Sequence, residues 1–478
     1  MFKSLQRVAP RLLPFALVGL AGCSLIPNYE RPDTPLPQAW PGGAIATAAA
    51  TSPAAPAADV PWQNFFTDPR LQQLIGIALA NNRDLRLAML NVEQVRAQYQ
   101  IRRADQFPTL NAAATGSRVP NGNSGTTSIY NVGLAVTAFE LDFFGRIASL
   151  KEAALSQYLA SEESRKTAQI SLIATVATTW LNLLADEALL DVTRQTVATR
   201  EESLRLTKLR FDNGASSELD FRQSESLSES AKVVLAQLQR QRALDENAMV
   251  LLLGQALPAG LDLREPVAGL NGAMAPGDLP AGLPSDLLAN RPDIRAAEQQ
   301  LLAANANIGA ARAAFFPRIT LTTGIGTASN QLSGLFESGT FGWTFAPQLL
   351  LPIFDAGRNQ ASLDSATVGR DIAIAQYEKA IQTAFREVAD ALAGRATLVE
   401  QLRAQQAQAN AESVRFRLAD LRFQNGIASS LDLLDAQRSL FTAQQAVLQT
   451  RLLQLQNQVA LYKTLGGGWT ETRSAGTP

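Results

Sequence analysis

Histidine is absent from all 478 residues. The chain therefore lacks the side chain most used as a general base near neutral pH, which is also the commonest metal ligand. A single cysteine excludes an internal disulfide and a thiolate metal cage. Aromatic residues make up only 6%, and 42 basic side chains nearly cancel 43 acidic ones. A chain so close to neutral offers nucleic acid no electrostatic footprint. No glycine-rich nucleotide loop is present either. No catalytic residue, cofactor site or metal site is assigned, and enzyme readings fall away.

What the sequence has is duplication. Asn81, Asp84, Arg86, Ala88, Ala97, Arg103, Ala104, Phe107 and Pro108 recur as Asn290, Asp293, Arg295, Ala297, Ala306, Arg312, Ala313, Phe316 and Pro317, each 209 residues on. Arg210-Phe211-x-Asn213-Gly214, with Ser217, Leu219 and Asp220, recurs 212 residues on as Arg422-Phe423-x-Asn425-Gly426 with Ser429, Leu431 and Asp432. The chain is two copies of one long unit, and a unit repeated only twice at this length is not a solenoid.

Each copy reads as a helix, a pair of strands and two further helices. Residues 68–106 contain no proline after Pro69 and only Gly76 as glycine. Leu71, Leu74, Ile75, Leu79, Leu85 and Leu87 fall at broken helical spacing, which predicts one helix stopped by Pro108; Pro317 stops its counterpart. In the second copy Ile319, Leu321, Thr323 and Ile325 alternate with small or polar residues, and so do Phe341, Trp343, Phe345, Pro347, Leu349 and Leu351. The first copy repeats this more weakly at Leu110, Ala112 and Ala114 and at Tyr130, Val132, Leu134 and Val136, around an exposed turn at 120–125. Period two over about ten residues is the pattern of a membrane-spanning barrel strand. Four strands alone leave open edges in lipid, where each unpaired backbone group costs several kcal/mol, and single-chain barrels use at least about eight. Strands of this kind in a membrane must close across several chains, and three copies give twelve.

The helices after the strands are very long. From Gly145-Arg146 to Phe211, and from Gly357-Arg358 to Phe423, there is no proline and hardly any glycine. Runs of this length, roughly 65 residues, span roughly 100 Å as one helix and suit coiled-coil stalks or the walls of a tall tube. Asn213-Gly214 and Asn425-Gly426 end them, and a return helix runs to Gly254 or Gly466.

The first residues are read as outside the fold. Lys3, Arg7 and Arg11 precede a short apolar run, Leu12–Leu20, too short to span a bilayer, which ends in Leu20-Ala21-Gly22-Cys23. This resembles a bacterial lipoprotein signal, which implies cleavage before Cys23 and lipid, palmitate included, on that cysteine. Ser24, where aspartate usually accompanies inner-membrane retention, implies sorting to the outer membrane. The expected organisation is a signal peptide at 1–22, an acylated and extended segment at 23–61, and a first repeat at 62–254 with a hairpin at 108–142. A Pro/Gly-rich connection follows at 255–290, then a second repeat at 291–466 with a hairpin at 317–354 and a flexible tail at 467–478.

The lipobox, the run 139–146, Asn290-Arg291-Pro292-Asp293-Ile294, the segment 313–319, Leu431–Leu440 and Leu465-Gly466-Gly467-Gly468-Trp469 together resemble the TolC/OprM-like outer-membrane efflux factors, in the lipid-anchored OprM/OprJ-like branch. The resemblance covers essentially the whole mature chain. It implies an α+β membrane protein: a homotrimer forming a 12-stranded outer-membrane β-barrel, four strands per chain, continued by a long periplasmic α-helical barrel and built from two internal repeats. Its partners by resemblance are a periplasmic membrane-fusion adaptor, an inner-membrane transporter of the proton-driven RND type and outer-membrane lipid. The implied function is the passive exit duct of a tripartite multidrug efflux pump. The exit duct of a type I protein secretion system and a non-conducting coiled-coil lipoprotein scaffold are the alternatives.

Selectivity and gating are the chemistry left to such a duct. Leu431, Asp435 and Arg438 stand at i, i+4 and i+7 on one helix face, with Asp432 beside them. Symmetry turns each into a ring, and carboxylate rings in a pore favour cations. Asp435 and Arg438 are placed to pair, within one chain or between chains. By resemblance these positions, with Asp220, form the periplasmic gate. The first repeat has Gln223 and Ser226 where the second has Asp435 and Arg438, so half of the inner tips should carry the full gate. The tips, with Arg210, Asn213 and Gly214 and with Arg422, Asn425 and Gly426, resemble segments that adaptor hairpins contact.

Overall fold

A computed structural model describes residues 24–33, 37, 40, 57–122, 125–258 and 284–469. Cys23 and residues 1–22, expected to be a signal peptide, lie outside this range, as do 259–283 of the connection and 470–478 of the expected tail. The elements run α1 (Trp62–Phe65), α2 (Pro69–Asn81), α3 (Arg83–Ala104), β1 (Leu110–Asn121), β2 (Gly125–Leu141), α4 (Arg146–Asp212), α5 (Glu218–Leu253), α6 (Leu287–Asn290), α7 (Pro292–Ala313), β3 (Arg318–Ser329), β4 (Phe341–Leu350), α8 (Arg358–Gln424) and α9 (Ser430–Thr464). The long helices α4 and α8 contain 67 residues each. The chain divides into two compact units, and each takes residues from both repeats.

One unit comprises 90–162, 296–379 and the described part of 1–34. It contains a four-stranded antiparallel sheet in the order β1-β2-β3-β4. The register settles the two faces. Ala112, Leu134, Ile325 and Trp343 lie in one row across the sheet, and Ala114, Val132, Thr327 and Phe341 in another. The opposite face carries Ala113, Gly133, Gly326 and Gly342 in a row, with Thr115 and Asn131 beside it. The alternation seen in the sequence is thus a sheet with one apolar, aromatic face and one small, polar face. Trp343 is 73% exposed and Phe341 70%, an apolar display suited to lipid and not to water. The β1 and β4 edges have no strand partner among the described residues. Ile147, Leu301, Ile308 and Tyr377 are among the buried helical residues of this unit.

Gly133 and Gly326 face each other across β2 and β3. A Cβ on Gly326 would meet the Val132 carbonyl oxygen at 2.3 Å and the Gly133 Cα at 2.7 Å. The two backbones touch, and no side chain fits between them.

The other unit comprises the described residues of 35–89, 163–295 and 380–478. Its core is helical: Trp180, Leu181, Ile173, Leu71, Leu74 and Met249 are fully buried. The Trp180 indole N–H donates to Asp68 at 3.2 Å, while Asp68 also caps α2 by accepting from the Arg70 amide at 2.9 Å. Tyr462 stacks on Phe65 with ring centroids 4.1 Å apart and donates to the Val60 carbonyl. Helix α4 holds a window long and apolar enough to cross a bilayer, but 67% of that window is buried inside the protein, which makes it core.

The expected single helix over 68–106 is two helices. Asn82 is extended, with ψ at 131°, and separates α2 from α3. Its side-chain oxygen accepts from the Leu85 amide at 2.9 Å and its amide donates to the Leu252 carbonyl at 2.9 Å. An Asn that caps the following helix repays the break. In the second repeat Arg291 occupies this position and Pro292 enforces the same break. Arg291 is buried and donates to the Thr464 carbonyl at 3.0 Å while pairing with Asp293 and Glu387.

Two expectations follow. Gly326→Val should force β2 and β3 apart and sharply reduce the amount of folded protein recovered from outer membranes, read by heat-modified gel mobility. The buried Asp186 carboxyl, next to Asp245 and Glu187, is pushed up to about 7 by burial and by its hydrogen bond to Asp245. The folded chain therefore holds a proton that the unfolded chain releases near pH 4. This stabilisation is full at acid pH and is lost as pH rises through about 7. Asp186→Asn should flatten that loss, measured as melting temperature at pH 5 and pH 8.

Candidate functional site

The two helix-turn-helix tips are built alike. After α4, Gly214 takes a left-handed φ of 71°, and after α8, Gly426 takes 73°. The Asn213 and Asn425 side chains each donate back to a leucine carbonyl, Leu209 and Leu421, at 2.7 Å. The return helices open with reciprocal capping boxes. Ser217 accepts from the Asp220 amide at 3.1 Å while Asp220 accepts from the Ser217 amide at 3.3 Å, and Ser429 and Asp432 do the same at 3.2 Å each way. A box of this kind satisfies two orphan donors at a helix start.

The sequence assigned Asp220 and Asp432 to a gate; the structure shows that both carboxylates serve helix starts. Asp220 has a further partner. Its free oxygen accepts from the Ser430 hydroxyl at 2.9 Å, which ties the first tip to the second. These hydrogen bonds, Ser217 foremost, hold the Asp220 carboxyl below its usual range. The first repeat carries Glu218 where the second has Ser430, so the tie runs one way only.

Asp435 and Arg438 do pair within one chain, at 3.1 Å. Asp435 has a second cation, Arg415, which sequence reasoning missed. Arg415 also contacts Glu412 at 3.1 Å and the Ser439 hydroxyl at 3.3 Å. The hydrogen bond from Arg415 is the chief cause that draws the Asp435 carboxyl below its usual range. A signal for Arg415 existed: it and Asp435 each stand ten residues from Asn425, so an antiparallel helical hairpin brings them opposite. Leu431 is 57% exposed. The first repeat has the uncharged Ser203 and Gln223 at the positions of Arg415 and Asp435.

The tip arginines are exposed. The Arg210 guanidinium lies 4.5 Å from the centre of the Phe423 ring, and neither Arg210 nor Arg422 has a carboxylate partner among the described residues. Ile427 is 68% exposed and Leu219 67%. The tips therefore present cations and apolar side chains together.

At the other unit, the segment after Cys23 is pinned to α7. Tyr29 and Arg31 donate to Glu298 at 3.0 and 2.8 Å, Asn305 donates to the Pro27 carbonyl at 2.8 Å, and Arg312 to the Leu25 carbonyl at 3.3 Å.

The family model for "Outer membrane efflux protein" matches residues 74–255 and 283–467. The solvent efflux pump outer membrane protein SrpC of Pseudomonas putida is 49% identical over 467 residues, covering 96% of this chain and 98% of its own. The outer membrane protein OprJ of Pseudomonas aeruginosa is 45% identical over 467 residues, covering 95% of each. The open state of the Neisseria gonorrhoeae MtrE outer membrane channel superposes with a TM-score of 0.85 at 43% identity, over 94% of this chain and 99% of that one. The chain belongs to the outer membrane efflux protein family, a family of transport channels. It is an outer-membrane protein, the exit duct of an efflux pump.

Removing one cap should loosen one tip. Ser429→Ala is expected to cost about 1 kcal/mol of local helix stability and to speed amide exchange over residues 430–434 several-fold.

Proposed function

We propose that three copies of the chain close their sheets into one twelve-stranded barrel, and that the duct is shut at its periplasmic end by Leu431, Asp432, Asp435 and Arg438 with Asp220. The observation that carries this reading is the open four-stranded sheet, whose apolar face is aromatic and whose two edges have no strand partner among the described residues. Unpaired edges in hydrocarbon are too costly to persist, and pairing β4 of one copy with β1 of the next satisfies both.

The gate reading draws support from charge placement. Asp435 is held between Arg415 and Arg438, so each chain brings this charge cluster to one tip only. Exposed pairs of this kind contribute little stability, which suits a latch that must release. Opening then exchanges one set of pairs for another at small cost. The exposed Arg210, Arg422, Ile427 and Leu219 suit docking of a periplasmic adaptor against the tips, at Asn213-Gly214 and Asn425-Gly426. The adaptor in turn joins a proton-driven inner-membrane transporter. Lipid on Cys23 anchors the chain, and the docked segment 24–33 passes that anchorage to α7. The solvent efflux relative supports small organic cargo over a secreted protein.

Single-channel conductance in planar bilayers tests the gate. Wild type should be silent or small, and the triple variant Asp432→Ala/Asp435→Ala/Arg438→Ala should conduct several-fold more. Equal, large conductances would discard these residues as the gate. Silence in both proteins, with only monomers in solution, would discard the trimeric duct.

A further inference from the structure

Thirteen residues before Asn213 at the tip of the first repeat, Arg200 is buried within a single chain at 3% exposure. Its Nη1 donates to the Leu227 carbonyl at 3.0 Å and to the Ser230 hydroxyl at 3.3 Å. Its guanidinium lies 5.0 Å from the centre of the Phe441 ring. Its Nε is buried and has no acceptor. Among the described residues no carboxylate pairs with Arg200, and the one charge it senses is the like charge of Arg438. Burial lowers it only to about 10, so it remains a cation at neutral pH.

A buried charge without a counter-charge is among the costliest arrangements in a folded protein. Arg200 lines a cavity of about 150 Å³. Gln195, Thr196, Thr199, Gln437 and Gln444 line it too. The two threonine hydroxyls donate within their own helix, to Val192 and Gln195 carbonyls. The Gln195 and Gln444 amides have no hydrogen-bond partner among the described residues. Gln437 donates to Ser203 at 2.9 Å and leaves its carbonyl oxygen buried and unpaired. Turning that amide over lets Ser203 donate to the oxygen and frees the NH2. The cavity is thus lined by one uncompensated positive charge and by the amide groups of Gln195, Gln437 and Gln444.

We propose that this cavity is a binding site for a small inorganic anion of halide type, chloride in the cell, held by Arg200 on α4 and by Gln437 and Gln444 on α9. The cavity admits a monatomic ion readily. Since Arg200 is already covered by its own chain, a side chain from a neighbouring subunit would have to thread through the cavity to reach it. The repeats diverge here as well: Glu412 stands where symmetry with Arg200 would put a second cation, so one such site is built per chain. The anion would join helices of the two repeats in the unit that carries the tips.

Bromide is the probe. Crystals of the full protein grown in bromide should give an anomalous peak within hydrogen-bonding reach of the Arg200 guanidinium, absent in Arg200→Gln. In parallel, melting temperature at constant ionic strength should climb with the logarithm of chloride concentration when chloride replaces gluconate, and should stay flat in Arg200→Gln. If that variant fails to fold, the wild-type map and the wild-type chloride series decide alone. Water without bromide at Arg200, a neighbouring subunit's carboxylate in the cavity, or a melting temperature indifferent to chloride would each overturn the proposal.

Discussion

Backbone hydrogen bonding at the sheet edges is the constraint from which the rest follows. The chain pairs β1 to β2, β2 to β3 and β3 to β4 and leaves two edges. In water such edges are managed with charge, proline or short length. Here β1 has 12 residues and β4 has 10, and β4 carries Phe341, Trp343 and Phe345. Arg118 and Pro120 sit near one end of β1 and Pro347 lies within β4, but most of both edges is left open to be joined. Membership of an outer-membrane channel family and the open edges are two views of one requirement.

Duplication supplies the parts, and divergence gives them different work. Both tips use the same glycine turn and the same serine-aspartate box, so the helix ends are fixed identically. What differs is charge. The second repeat places Glu412, Arg415, Asp435 and Arg438 close together, whereas the equivalent places in the first hold Arg200, Ser203, Gln223 and Ser226. One repeat thus displays a balanced cluster on an exposed surface, and the other buries a lone cation. The carboxylates at 220 and 432 show how economical the design is, since each has a structural task at a helix start before any task in a pore.

Much of this was legible in the sequence, for physical reasons that can be named. Period-two alternation from Phe341 to Leu351 announced a two-faced strand because successive strand side chains must point oppositely. Proline-free runs announced α4 and α8 because nothing in them interrupts a helix. The break at Asn82 was not legible, because no proline or glycine marks it in the first repeat; it depends on a side-chain cap and on a partner carbonyl 170 residues away, at Leu252. The first-repeat counterpart of Pro292 is Arg83, so only comparison of the two copies could have exposed it. The doubled role of Asp220 depended on a contact between repeats, with Ser430, which no local pattern encodes. Arg415 was accessible by reflecting the hairpin about its turn, a geometric step and not a motif.

The pairing of β2 with β3 also fixes an order of events. Tyr130 meets Ser329 and Leu141 meets Ile319, contacts separated by nearly two hundred residues of chain, while only three residues separate β1 from β2. Closing so large a loop is entropically slower than closing a short one. The two hairpins can form as soon as each leaves the translocation machinery, but the seam between them waits until the second repeat has been delivered. A nascent chain therefore spends an interval with its first hairpin unpartnered, and it is in that interval, more than in the finished protein, that the molecule needs protection from aggregation.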